Sequence, residues 1–131
     1  EKEKNILPLL IDLANPSSAI GLNNKERTSF SERTNCDVGM ALALVHHLAI
    51  GKNIPFEKIA ELFVNLVESL VIEFIPKKDK KVQLMLQQKK DIYTSYNEEN
   101  FVRSFEKYFS VQKKHEIGDS GRILYMMKRH A

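Results

Sequence analysis

The sequence predicts one α/β domain of three layers, in which a mostly parallel sheet ends in an antiparallel hairpin. Three features predict it. Residues 38–45 form an unbroken apolar run and residues 70–75 are interrupted only by Glu73, as in strands covered on both faces. Between them Ile59, Leu62, Phe63, Leu66 and Val67 recur at the spacing of one core-facing helical stripe. Near the C-terminus Gly118-Asp119-Ser120-Gly121 separates two strand-like runs, which is a hairpin signal. With 131 residues, 43% of them hydrophobic, the chain is sized for a single domain over residues 1–131 with a core of its own.

Taken in order, residues 6–13 are a short apolar run closed by Asp12 and the turn Asn15-Pro16-Ser17-Ser18, so a buried strand is expected, placed at an edge by Pro8. Residues 18–35 are polar and of mixed charge, a loop with one helical turn near residues 25–30. Residues 36–48 read as an interior strand: Asp37 opens the apolar run, and His46 and His47 close it. Asn53-Ile54-Pro55 starts the next helix, with proline early, where a missing N–H is harmless. Residues 70–76 form a second buried strand stopped by Pro76, which completes a βαβ unit with a parallel strand pair. Asp79 caps a short helix through Val82, Met85 and Leu86. Ser95 and Glu98 match a capping box before a helix whose stripe is Phe101, Phe105, Tyr108 and Phe109. Residues 111–117 and 122–128 are the two arms of the hairpin.

Composition bounds the partners. The 20 basic and 17 acidic residues are interleaved, and a formal charge of +3 does not by itself call for a polyanion. Nucleic acid is permitted and weakly supported. The single cysteine, Cys36, forms no intrachain disulfide and no CxxC site, so a reducing, cytoplasmic setting fits. The longest apolar stretch, residues 40–50, falls well short of the roughly 20 residues of a membrane span. The N-terminal residues lack the order of parts of a signal peptide.

The closing hairpin, after a βαβ unit, resembles class I S-adenosylmethionine-dependent methyltransferases. In that family a seven-stranded Rossmann-like sheet ends by inserting its last strand antiparallel beside the fifth. Residues 36–48, with an aspartate before the apolar run and a histidine after it, resemble the fourth strand. Residues 71–77 resemble the fifth, residues 9–16 the third and residues 122–127 the seventh. The resemblance implies a C-terminal half that begins near the third strand and lacks the glycine-rich loop, since Gly21, Gly39, Gly51, Gly118 and Gly121 are scattered and form no GxGxxG after a strand. Such a piece is expected to bind cofactor poorly. With the first two strands gone, the fourth is left with an open edge. Either residues 6–13 move in beside it, or two chains pair there as a homodimer.

The resemblance also assigns residues. Asp12, which closes the third strand, Asn15, in the turn that follows, and Leu44, in the fourth, are the expected contacts to S-adenosylmethionine, with local backbone bonding in a strand-ending turn the alternative for Asp12. His46 and His47 stand where ligands bind in open α/β sheets. One imidazole is expected to face the pocket as a general base or to order the acceptor, unless it only caps the strand end. As neighbours on a strand the two point to opposite faces and cannot chelate one metal together. Glu73, in an apolar strand, needs a partner or a cleft, and the resemblance places it beside the methyl acceptor. Lys77, Lys78, Lys80 and Lys81 form a run that suits a phosphate-bearing acceptor or a solvated loop. The function so implied is methyl transfer to an unknown acceptor in a longer parent protein. A non-catalytic interaction module of the same fold and a basic RNA-contacting domain are the alternatives.

Overall fold

A computed structural model describes residues 5–131. After a 3-10 turn at Leu22–Asn24 the elements are α1 (Phe30–Arg33), β1 (Cys36–Ala41), a π-helical turn (His47–Gly51), α2 (Phe56–Val64), β2 (Val67–Phe74), α3 (Lys80–Gln87), α4 (Glu98–Glu106), β3 (Phe109–Ile117) and β4 (Arg122–Arg129). The four strands form one sheet in the order β1-β2-β4-β3.

β1 and β2 are parallel, with Gly39 opposite Leu70 and Ala41 opposite Ile72, and α2 connects them as the βαβ reading expects. β4 lies antiparallel to β2, with Ile72 opposite Tyr125, and antiparallel to β3 in the closing hairpin. The last strand is thus inserted beside the second strand of the parallel pair. Only one of the three neighbouring pairs is parallel, so the sheet is mostly antiparallel, not mostly parallel as the apolar runs suggested.

Alternation along each strand sets two unlike faces. Ala41, Leu70, Ile72, Phe74, Ile123, Tyr125 and Met127 are buried under α2 and α4. There Phe74 meets Phe56 and Phe101 at ring-centroid separations of 6.4 and 5.2 Å, within the range of favourable aromatic pairs. On the other face Val38 and Met40 are 59% and 69% exposed, and Met126 is also exposed. Among the described residues the domain therefore has two layers where three were expected.

Two elements differ from the sequence reading in ways that matter for the site. Residues 6–13 form no strand: Ile6, Leu7, Leu9 and Leu10 are exposed, and among the described residues the only strand neighbour of β1 is β2. Pro8 supplies no N–H for a ladder. The interior strand expected over 37–47 stops at Ala41, and the chain is helical from Val45. Its second half, Leu42-Ala43-Leu44, lacks β-branched residues, so hydrophobicity there did not specify a strand, and Leu42 is left 51% exposed.

In the remaining elements α2 ends at Val64 and α4 at Glu106, so Leu66 and Tyr108 lie in turns, and Val67 and Phe109, expected on the helical stripes, instead open β2 and β3. Pro55 precedes the first turn of α2, Asp79 caps α3 by accepting from Lys81 N–H, and Ile59, Phe63, Phe101 and Phe105 are buried. The cap of α4 is Asn97 instead of Ser95, its side chain accepting from Asn100 N–H. Glu98 turns instead to Lys114 and to the Tyr125 hydroxyl.

Candidate functional site

Because β1 and β2 run the same way, their C-terminal ends open on one side of the sheet, the place where side chains and loops converge in open α/β folds. The loop leaving β1 is bent by Ala43, which sits at φ +49°. An L-residue in that left-handed region carries a cost of roughly 1–2 kcal/mol and is held there by its surroundings. Glu73, near the end of β2, does the holding: its Oε2 accepts from the Ala43 N–H at 2.7 Å.

Glu73 is only 6% exposed, so its charge requires compensation. Arg122, the first residue of β4, provides it, with Nη1 3.5 Å from Glu73 Oε1 and Nε donating to Asp79 Oδ2 at 2.9 Å. The other Asp79 oxygen accepts from Lys81 N–H at 2.9 Å, which ties the start of α3 to the same network. The hydrogen bond from Arg122 holds the Asp79 carboxyl below its ordinary range, and Asp79 in turn raises Arg122. The loop after β1, the end of β2, the start of α3 and the start of β4 thus meet in one hydrogen-bonded cluster of acidic and basic side chains.

His46 and His47 lie beside that loop on a helical turn and not at a strand end. Their ring centroids are 4.1 Å apart, so the opposite-face arrangement expected for neighbours on a strand does not apply. His46 is 0% exposed, and neither ring nitrogen has a hydrogen-bond partner. Burial, aided by His47, pushes its pKa down to about 4, so it is a neutral imidazole near neutral pH. His47 is exposed. Of the two, His47 is the one open to an incoming molecule.

The other expected contacts are spread more widely. Asp12 is exposed and accepts from Ala14 N–H at 3.0 Å, while its carbonyl accepts from Asn15 N–H at 3.0 Å. These two residues form a local turn, with Lys52 3.9 Å from the Asp12 carboxylate. Leu44 is half-buried against the core, next to the bend at Ala43. Glu73 is indeed partnered, but by backbone and Arg122. Within the lysine run, Lys77 is taken by Asp91 and the Tyr93 carbonyl, while Lys78, Lys80 and Lys81 are exposed.

The sequence reading missed Ala43 and Arg122 and saw Asp79 only as a helix cap. One signal was available for Arg122: a glutamate inside an apolar strand requires a cation, and the first residue of an antiparallel partner strand is one place to supply it. Nothing in the sequence marked Ala43 as left-handed. Among the described residues no group of three or more His, Cys, Asp or Glu is arranged to hold a metal ion, and no helix is long and apolar enough to cross a membrane.

The chain is similar to Nodulation protein NoeA of Rhizobium meliloti (strain 1021), with 40% identity over 129 residues. The match takes in 98% of this chain and 27% of that protein, so the chain spans about a quarter of the length of its curated relative. No protein-family profile matches the chain. No solved structure matches it either.

Proposed function

We propose that this chain is the acceptor-side part of a Rossmann-like, S-adenosylmethionine-dependent methyltransferase whose remaining parts lie elsewhere in a longer protein. The observation that carries the reading is the strand order β1-β2-β4-β3, with one parallel pair followed by a last strand inserted antiparallel beside it. This is the closing arrangement expected from the resemblance of residues 36–48, 71–77 and 122–127 to that family. The charged cluster and the strained bend lie at the C-terminal end of the parallel pair, where such a sheet presents its cleft. The matched relative is almost four times the span of the matched segment, consistent with a part of a larger machine, and its name extends the proposal to a nodulation-related role.

The residues present supply only part of a cofactor site. Asp12 and Asn15 have turned to their own backbone and to Lys52, which leaves adenosine no free carboxylate at that turn. The glycine at φ +91°, Gly21, has the Glu26 side chain in the space that a Cβ would occupy. Leu44, beside the bend, is the one expected contact well placed as an apolar wall. When bound, S-adenosylmethionine would supply a methyl group already activated by its sulfonium, so the protein's task is chiefly to position the acceptor. In this reading Glu73 fixes the Ala43 bend, Arg122 bridges Glu73 to Asp79 and so holds the Glu73 side chain in place, and His47 is the exposed imidazole beside the bend that faces an incoming acceptor.

Calorimetric titration with S-adenosylmethionine and its demethylated product tests this directly. The chain over residues 1–131 is expected to show no micromolar binding, whereas the longer protein that contains it binds both. Absence of binding to the longer protein would overturn the proposal.

A further inference from the structure

Next to the charged cluster, between the first turn of α3 and the β3–β4 turn, lies a cavity of about 530 Å³ lined by Lys78, Asp79, Lys80, Lys81, Asp119, Ser120 and Arg122. Its cations outnumber its carboxylates. Asp79 is already neutralised by Arg122 at 2.9 Å. Among the described residues no carboxylate lies within ion-pair distance of Lys78, Lys80 or Lys81; Lys25, Lys89, Lys90, Lys113 and Lys128 share that, but only the first three line one cavity together with Arg122. Three like charges within four positions repel one another, and a bound anion would relieve that repulsion.

The cavity is shaped as well as charged. Gly121 takes φ +75°, and a Cβ there would stand 3.0 Å from Lys78 Cε and 3.5 Å from its Nζ. The turn therefore makes room for the end of the Lys78 side chain, a residue that lines this cavity and the neighbouring one. Arg122 has its guanidinium divided between Asp79 and Glu73, so the fork that would recognise a planar carboxylate is already engaged. What remains free are ammonium groups, which recognise charge and not planarity. A second cavity of about 390 Å³ shares Lys78 and adds Phe74, Pro76 and Tyr96 on the far side of Gly121, which gives an organic body somewhere to lie.

We infer that this cavity binds a tetrahedral oxyanion, the phosphate or sulfate ester group of the molecule that the chain acts on. The inference deepens the methyl-transfer reading by naming an acceptor class and rests on that reading only for the word acceptor. The site shares Asp79 and Arg122 with the cluster behind the Ala43 bend, so an ester held by the lysines places the rest of its molecule beside the candidate cleft.

The test is amide NMR of the chain titrated separately with inorganic phosphate and inorganic sulfate, each against sodium chloride at matched ionic strength. Saturable shifts are expected at residues 78–82 and 119–122, with at least about tenfold weaker binding in the variant Lys78→Gln/Lys80→Gln/Lys81→Gln, since each phosphate contact contributes separately. The better-bound ion identifies the ester. All three lysines are exposed, so the variant keeps its fold, which the remaining resonances report. Shifts that are absent, equally produced by chloride, or unchanged in the variant would overturn the inference. Because no cofactor is used, anion binding here together with a longer protein that ignores S-adenosylmethionine would sink methyl transfer and leave this site standing.

Discussion

Glu73 on β2 and Ala43 in the loop leaving β1 are joined by a 2.7 Å hydrogen bond from the Ala43 N–H to the Glu73 carboxylate. The bond spans two strands and fixes a backbone conformation that alanine would otherwise avoid. Replacing Glu73 by alanine orphans the Ala43 N–H and deprives Arg122 of one partner, at an expected cost of about 2–4 kcal/mol. Glu73→Gln keeps a carbonyl acceptor and loses the charge, so it should cost about half as much. Urea unfolding of both variants measures the difference. Equal costs would mean that the hydrogen bond to Ala43 contributes nothing.

Ala43 itself offers the complementary test. Glycine accepts φ +49° without steric cost but loses more entropy on folding, and the two effects, each about 1 kcal/mol, nearly cancel. Ala43→Gly should therefore leave the melting temperature within a degree or two of the parent. Ala43→Val should lower it by several degrees, because a β-branched side chain tolerates the left-handed region worst. A glycine variant that melts as early as the valine variant would contradict the assigned bend.

His46 makes stability depend on pH in a stated direction. Its pKa falls from 6.5 in the free side chain to about 4 in the fold, so between these values the unfolded chain binds the extra proton. Stability contributed by the neutral imidazole is fully present above pH 6.5 and is lost as pH falls toward 4, by about 3 kcal/mol in total. Carboxylates titrate over part of the same window, so the readout is the difference between parent and His46→Leu. Its stability relative to the parent should rise steadily from pH 6.5 down to 4. A constant difference across that window would show that the imidazole is not held neutral by burial.

The free edge of β1 is proposed as the contact between two copies of the chain. Cys36 N–H points toward β2 and bonds the carbonyl of Leu66, the residue just before it, so by alternation the Asp37 and Gly39 N–H groups face outward. Their exchange with deuterium should slow as protein concentration rises, while Val38 and Met40 amides are slow throughout. Fast exchange of Asp37 and Gly39 at every concentration would leave the edge unpaired and end the homodimer proposal.

How far the sequence was legible depended on which physical signal each segment carried. Helix α2 and strand β2 were readable because the 3.6-residue stripe through Ile59 and Phe63 gives way to Val71, Ile72 and Phe74, residues whose shapes prefer strands. The hairpin was readable from the glycines bracketing Asp119 and Ser120, both of which, Gly118 at φ +51° and Gly121 at φ +75°, take the left-handed conformation that suits glycine. Residues 42–45 were not. Alanine and leucine bury equally well in helix or strand, and the choice between them is made by Glu73 reaching across from β2. That is a long-range contact with no local signature. The histidines were expected to close the strand, but β1 ends at Ala41 and the helical turn that buries His46 and exposes His47 depends on the same bend.

If the chain serves methyl transfer as proposed, Leu44 beside the Ala43 bend lines the methyl-donor site at the C-terminal end of the parallel pair. Ultraviolet cross-linking of methyl-labelled S-adenosylmethionine to the longer protein, followed by peptide mapping, measures this without knowledge of the acceptor. The account predicts label on the peptide that carries residues 42–47, diminished by Glu73→Ala, which releases the bend. Label found only outside residues 36–131, or no label at all, would contradict it.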